Sequence, residues 1–273
     1  MARAPTAEYL VLDIETIPDT ERWQPPEPQG DPRADARGAF PPSWAHRIVV
    51  IGCLWLDHGY RLKRIGVVGD AAGGSGSADD RERALLEELS EMIGGGRPTL
   101  VTYNGRNFDM PVIALRSLCH GVAMRWYYRD HSTRYRYSEQ GHLDLCDWLA
   151  DHGATRSSSL DAIAHLIGLP GKIGVDGSQV QGLYAAGQLA DIQRYCLADV
   201  AQTALLLLRF RLLQGQLSAD DYRARTHELI AALTADGRVS GVLEGMNTQH
   251  LLAVSPSEAA RSSDLRSELA PSG

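Results

Sequence analysis

Asp13-Ile14-Glu15 closes a short apolar run, EYLVLDI at 8–14, and is the first point in the chain where residue types and spacing suggest chemistry. Successive side chains of a strand alternate faces, so Asp13 and Glu15 would point the same way. Two carboxylates about 4 Å apart repel by about 4 kcal/mol at an effective dielectric near 20. A divalent cation between them turns that cost into binding, and hard oxygen ligands favour Mg2+ or Mn2+. The D-x-E pattern also arises by chance. Asp80 and Glu82 form a second copy, which falls on a helix expected at the surface and is set aside.

Two further places offer compatible groups. In Asn104-Gly-Arg-Asn-Phe108-Asp109, a turn-forming Asn-Gly pair leads from an apolar strand into Phe108 and Asp109. Asp109 reads either as a helix N-cap before Pro111 or as an acid held for a metal, and the two roles are compatible. In Tyr195-Cys-Leu-Ala-Asp199, the i,i+4 spacing puts Tyr195 and Asp199 on one helix face. Asp199 is followed by a long apolar stretch, and an acid in such surroundings wants a partner.

In that order, the three elements resemble the motifs of the DEDD superfamily of 3′–5′ exonucleases, which have a ribonuclease H-like fold. D-x-E is Asp13 and Glu15; the Asn-aromatic-Asp element is Asn104, Phe108 and Asp109; Y-x-x-x-D is Tyr195 and Asp199. The histidine branch needs its His five residues before the last Asp, where Arg194 stands, so the match is to the tyrosine branch. DIET, YNGRNFD, HLDL, GLPGK and YCLADV resemble predicted exonucleases similar to the proofreading domain of family B DNA polymerases. The resemblance runs over about residues 8–213. No polymerase domain follows, which makes a freestanding exonuclease the expectation.

The resemblance implies a two-metal hydrolysis of phosphodiester bonds that releases nucleoside 5′-monophosphates. Asp13, Glu15, Asp109 and Asp199 would hold two Mg2+ or Mn2+ ions. Asp13 would bridge them, Glu15 and Asp199 would complete the site that activates water, and Asp109 would hold the second ion partly through water. Tyr195 would orient the attacking water, because a phenol of ordinary pKa near 10 is a poor general base at neutral pH. Thr16 and Ile17 would meet the terminal nucleotide, and Asn104 the penultimate sugar or phosphate. Phe108 reads equally as a wedge against a base and as core. Lys172 in GLPGK reads as a phosphate contact or a solvated loop lysine. Asp144 reads as a helix cap or a support behind the site, and His142 and His165 as ordinary surface or core histidines. The substrate expected is the 3′ end of single-stranded DNA, with RNA open because nothing in the sequence reads a 2′-hydroxyl. A catalytically weak or inactive nucleic-acid-binding module of the same fold is the alternative.

These residues need a sheet and a helix to bring them together. Residues 8–14, 47–56 and 60–68 read as three strands in an antiparallel meander, with a Pro-rich loop from Pro18 to Pro42 after the first. Helical spacing follows over 80–93, closed by Gly94–Gly96. A buried strand at 98–103, a helix from Pro111 to Cys119, HLDLCDWLA at 142–150 as helix or strand, a helix from Ser159 and a long helix from Ala185 to Leu213 complete the pattern. It is that of an α/β domain with a mixed sheet flanked by helices, strands coming first. The expected organisation is an exonuclease domain over 1–217, a helical extension over 218–252 and a disordered tail over 253–273. The basic and aromatic run WYYRDHSTRYRY at 126–137 could guide single strands or form a hairpin surface.

Composition narrows the alternatives. The net charge of −7 points to local phosphate contacts and away from a broad basic saddle. Cys53, Cys119, Cys146 and Cys196 include no C-x-x-C pair, which argues against zinc and for buried thiols in a reducing compartment. No histidine cluster supports an unrelated metallohydrolase. With no apolar signal core and no membrane-length apolar run, a cytoplasmic protein without a membrane contact is expected.

Overall fold

The structure is a computed structural model, and it describes residues 8–27, 30–31, 40–69, 76–171 and 177–254. Five strands form one sheet in the order β3-β2-β1-β4-β5. They are β1 (Tyr9–Pro18), β2 (His46–Leu56), β3 (Leu62–Val67), β4 (Thr99–Thr102) and β5 (His142–Asp144). β1 pairs antiparallel with β2, and β2 with β3, as the meander expected; β4 runs parallel to β1, and β5 to β4. The helices are α1 (Ala78–Gly96), α2 (Asp109–His120), α3 (Arg125–Tyr128), α4 (His131–Arg134), α5 (Leu145–Leu149), α6 (Leu160–Leu166), α7 (Val180–Ala185), α8 (Leu189–Leu213), α9 (Ala219–Ala235) and α10 (Thr248–Leu252).

The strand period of two sorts β1 into two cores. Leu10, Leu12 and Ile14 pack with Leu86, Leu89 and Ile93 of α1 and with Val112 and Ile113 of α2. Val11 faces the other way, into a core with Leu197, Ala201 and Leu205 of α8 and Tyr222 and Leu229 of α9. Asp13 and Glu15 continue the Val11 parity, so the fold turns them toward α8. That helix is apolar on nearly every side because it is covered by the sheet, α6, α7 and α9, which explains its weak amphipathic pattern.

Several expectations are corrected. β1 runs on to Pro18 because Thr16 and Ile17 still pair with β2 after a bulge between Glu15 and Thr16. The long late helix starts at Leu189, later than Ala185, because Gly187, at φ +73°, closes the short α7 before it and lets the chain turn into α8. α1 stays helical through the three glycines, and Arg97, at φ 45°, takes the left-handed cap instead. Residues 142–150 are strand and then helix. The 126–137 run is built from the short helices α3 and α4. Cys119 is exposed, whereas Cys53, Cys146 and Cys196 are buried. Residues 28–29 and 32–39 of the Pro-rich loop, and 255–273, lie outside the described residues.

Candidate active site

The pleat of β1 places Asp13 and Glu15 on the face that α8 covers, and α8 carries Tyr195 and Asp199 there one turn apart. The approach is close because Asp13 pairs across the ladder with Gly52 of β2. A Cβ on Gly52 would stand 2.7 Å from Cys196 Sγ, closer than such contacts occur. Glycine at this one position therefore lets α8 settle against β1 and β2. The Cys196 thiol lies 3.5 Å from Asp13 Oδ2, and one donor atom from each of Asp13, Glu15 and Cys196 falls within 4.8 Å of the others.

Asp109 arrives from the other side, on the loop that leaves β4. Asn104 takes φ 65°, and a Cβ on Gly105 would lie 2.5 Å from Thr102 Oγ1, so the turn is tight against its own strand. Asp144 fixes that turn: its two carboxylate oxygens accept the backbone N–H groups of Asn104 and Arg106, each at 2.8 Å. It also accepts from Cys146 N and Asp147 N at the start of α5. Both of its readings therefore hold, cap and support in one side chain. Asp109 is the first residue of α2 and not its N-cap; Phe108 occupies the cap position without a side-chain bond. The Asp109 carboxyl is aimed inward and accepts a backbone hydrogen bond from Ile14.

The electrostatics follow from this meeting. Burial pushes the Asp13 carboxyl well above the ordinary range, and Asp109, Glu15 and Asp199 push it further. The Asp109 carboxyl rises to about 7, chiefly through burial, with Asp144 adding repulsion. One buried oxygen of Asp109, Oδ1, has no hydrogen-bond partner among the described residues. A buried acceptor without a donor costs about 1–3 kcal/mol. Hard carboxylate oxygens that repel one another, one of them unsatisfied, fit divalent cations of the Mg2+ or Mn2+ kind. Tyr195 is buried and hydrogen-bonded to Asp199, and burial plus the three acids raise its phenol far out of the titratable range, so it stays protonated.

The remaining residues singled out in the sequence divide. Thr16 Oγ1 lies 2.9 Å from His46 Nδ1, and the His46 ring meets Phe108 edge-on at 5.0 Å, so β1's end and the Asp109 loop are joined through His46. Phe108 also packs on the core beside α2. Ile17 packs with Tyr195, Cys196 and Val50. Asn104 is exposed, its side-chain oxygen accepting from Asn107 Nδ2 at 2.9 Å. Lys172 lies outside the described residues. His142 is core, its pKa forced down to about 3 by burial and Arg106; His165 is exposed beside Asp161.

Residues 38–246 match the family described as a predicted 3'-5' exonuclease related to the exonuclease domain of PolB. The chain belongs to this family. The match includes Asn104, Asp109, Tyr195 and Asp199 and begins after Asp13 and Glu15. Among relatives of this chain, the catalytic subunit of DNA polymerase epsilon from Eremothecium gossypii is 26% identical over 142 residues, which cover 48% of this chain and 6% of that protein. The family B DNA polymerase of Pyrobaculum calidifontis shares the fold with a TM-score of 0.51 at 18% identity, over 84% of this chain and 29% of that one. The sheet order, the mixed parallel and antiparallel pairing and this likeness make the fold ribonuclease H-like.

A second carboxylate group escapes sequence reasoning. Of Asp80 and Glu82, Asp80 is exposed and closes a capping box with Ser77, whereas Glu82 is 1% exposed and corrects the surface reading. Glu82 accepts from Arg116 Nε at 2.8 Å and Nη2 at 2.5 Å, and also bonds His120 and Ile48 N. Asp19, just beyond β1, accepts from Arg116, Arg47 and Arg22. Burial would raise its carboxyl, but these three guanidiniums hold it down to about 2. The legible signal was position: Glu82 stands in one helical stripe with Leu86, Leu89 and Ile93.

Proposed function

We propose that this exonuclease-family chain removes nucleotides from the 3′ ends of single-stranded DNA, with RNA as the alternative polymer, and releases nucleoside 5′-monophosphates. The reading is supported above all by the gathering of Asp13, Glu15, Asp109 and Asp199 from β1, α2 and α8, so tight that Asp13 is raised by the other three. These four side chains would hold two divalent cations, Mg2+ or Mn2+. When bound, such cations supply positive charge to a phosphodiester in displacement and make water more acidic.

The chain's own groups do the positioning. Tyr195, protonated and hydrogen-bonded to Asp199, presents an O–H that orients the attacking water and takes no proton from it. Asn104 and Phe108, on the loop that Asp144 shapes, contact the last two nucleotides, and Thr16 and Ile17 line the pocket for the terminal one. Lys172 is assigned to a phosphate of the same strand. Residues 1–217 are taken as the catalytic part, with 218–252 an appended helical layer.

The test uses 3′- and 5′-labelled single-stranded DNA and RNA with EDTA, Mg2+ or Mn2+. The 5′ label should yield a ladder shortening from the 3′ end, only with metal, and Asp13→Asn should slow it by about 10²–10³-fold. Absence of release from either polymer with either metal overturns the reading in favour of a binding module.

A further inference from the structure

At the far end of β4 from the Asn104–Asp109 loop lies a hollow of about 700 Å³. Arg97, Arg125 and Arg129 line it, with Trp126 and His131 beside them. All three arginines are exposed, and none is paired with a carboxylate among the described residues. Two acids also line the hollow: Asp130 is occupied by the N–H and hydroxyl of Ser132, and Glu91 is exposed. In a chain of net charge −7, three unpaired guanidiniums around one concavity are a local anion-binding feature.

The hollow is connected to the candidate active site. The His131 ring stacks on Tyr135 at 5.3 Å, and Tyr135 meets Tyr137 at 5.7 Å; the two tyrosines are 49% and 57% exposed. Arg106, within the Asn104–Asp109 loop, donates to Tyr135 O at 3.3 Å and His142 O at 2.7 Å, fixing this ring-bearing segment to the loop. The four residues of β4 span about 13 Å at 3.3 Å each, which is room for a few nucleotides between loop and hollow. Guanidiniums that take phosphates and exposed rings that take bases are what sequence-tolerant binding of a single strand requires.

We infer that the Arg97–Arg125–Arg129 hollow and the Tyr135–Tyr137 rings form a second contact for single-stranded nucleic acid, holding the strand several nucleotides upstream of its 3′ end. The inference rests on the exonuclease reading for the placement of the 3′ end. It makes the enzyme prefer strands long enough to reach the hollow.

The test compares the full chain with an Arg97→Ala/Arg125→Ala/Arg129→Ala variant and with the corresponding triple lysine variant. Binding of a labelled oligonucleotide of about 20 nucleotides is followed by anisotropy in EDTA across a salt series, and hydrolysis of a trinucleotide is followed with Mg2+. Each phosphate contact on a single strand contributes about 0.7 to the slope of log affinity against log salt. The alanine variant should therefore lose about 2 from the slope and at least about tenfold in low-salt affinity. Its trinucleotide hydrolysis should be unchanged, and the lysine variant should keep most of the slope. An unchanged slope and affinity overturn the inference. So does an equal loss on trinucleotide and long strand, because the hollow should add affinity only as the strand lengthens. If wild-type protein binds the strand but releases no nucleotide, the exonuclease reading fails by itself, and the salt slopes still decide the hollow.

Discussion

Two groups of buried and half-buried acids sit near β1's end, and the protein treats them differently. Asp19 and Glu82, with Asp79 nearby, are met by Arg116, Arg47, Arg22 and His120, all supplied by the chain. Asp13, Glu15, Asp109 and Asp199 are brought together so that each raises the cost of ionising Asp13. The first group carries its own cations and locks the start of α1 and α2 to the sheet. The second keeps Asp109 protonated up to about pH 7 and leaves one of its oxygens unsatisfied. Burial alone does not make carboxylates a metal site, since Asp19 and Glu82 are as buried as Glu15 and Asp109. What distinguishes them is that guanidiniums meet Asp19 and Glu82, whereas Asp13 is set among other carboxylates.

Breaking the first group should produce the largest change. Glu82→Gln leaves Arg116 buried without its bidentate partner and should cost about 3–5 kcal/mol, read as a lower urea midpoint. Asp13→Asn acts in the other group with the opposite effect on stability. It should cut metal-dependent release by about 10²–10³-fold, as losing one group that stabilises developing charge does. The same variant should raise the thermal midpoint in EDTA at pH 8, because a repelling charge is gone. Tyr195→Phe should lower release by about 10²-fold through misplacement of the water, while leaving metal binding intact.

The two groups should also separate by pH. A carboxyl raised in the folded state holds a proton there that the unfolded chain has lost. The contribution of Asp109 to apo stability is therefore full below pH about 4 and is lost as pH rises through about 7. Saturating Mg2+ should flatten that fall. Asp19, held down to about 2, behaves in the reverse sense: its contribution is full above pH about 4 and is lost as pH falls through about 2. Thermal midpoints from pH 2 to 8, with and without Mg2+, resolve the two windows. The smallest effect expected is Gly52→Ala, which should cost about 1–3 kcal/mol as α8 is pushed from the sheet, with a modest loss of activity.

The sequence carried the Asp13 group more clearly than the guanidinium-paired one. Asp13 and Glu15 obey a two-residue period at a strand end, and Tyr195 and Asp199 obey a four-residue period on a helix, so local rules predicted their shared faces. The paired group draws on residues 19, 22, 47, 79, 82, 116 and 120, from separate elements. Local periods join only members of one segment, such as Asp19 with Arg22 or Arg116 with His120; what brings the segments together is tertiary, and only the inward position of Glu82 hinted at burial. Asp144 was ambiguous because one carboxylate serves both a helix start and a loop forty residues away. The close approach of α8 rests on Gly52, whose meaning appears only once Cys196 is seen against it. The meander was legible from apolar runs, whereas the parallel places of β4 and β5 were not, and the start of the late helix turned on the single left-handed Gly187.

The most direct test of the difference between the two groups is Mn2+ binding followed by electron paramagnetic resonance in wild type, Asp13→Asn and Asp79→Asn. Mn2+ should be bound by wild type and Asp79→Asn alike and lost in Asp13→Asn. Binding that survives in Asp13→Asn, or disappears in Asp79→Asn, would contradict the assignment of the metal to the Asp13 group.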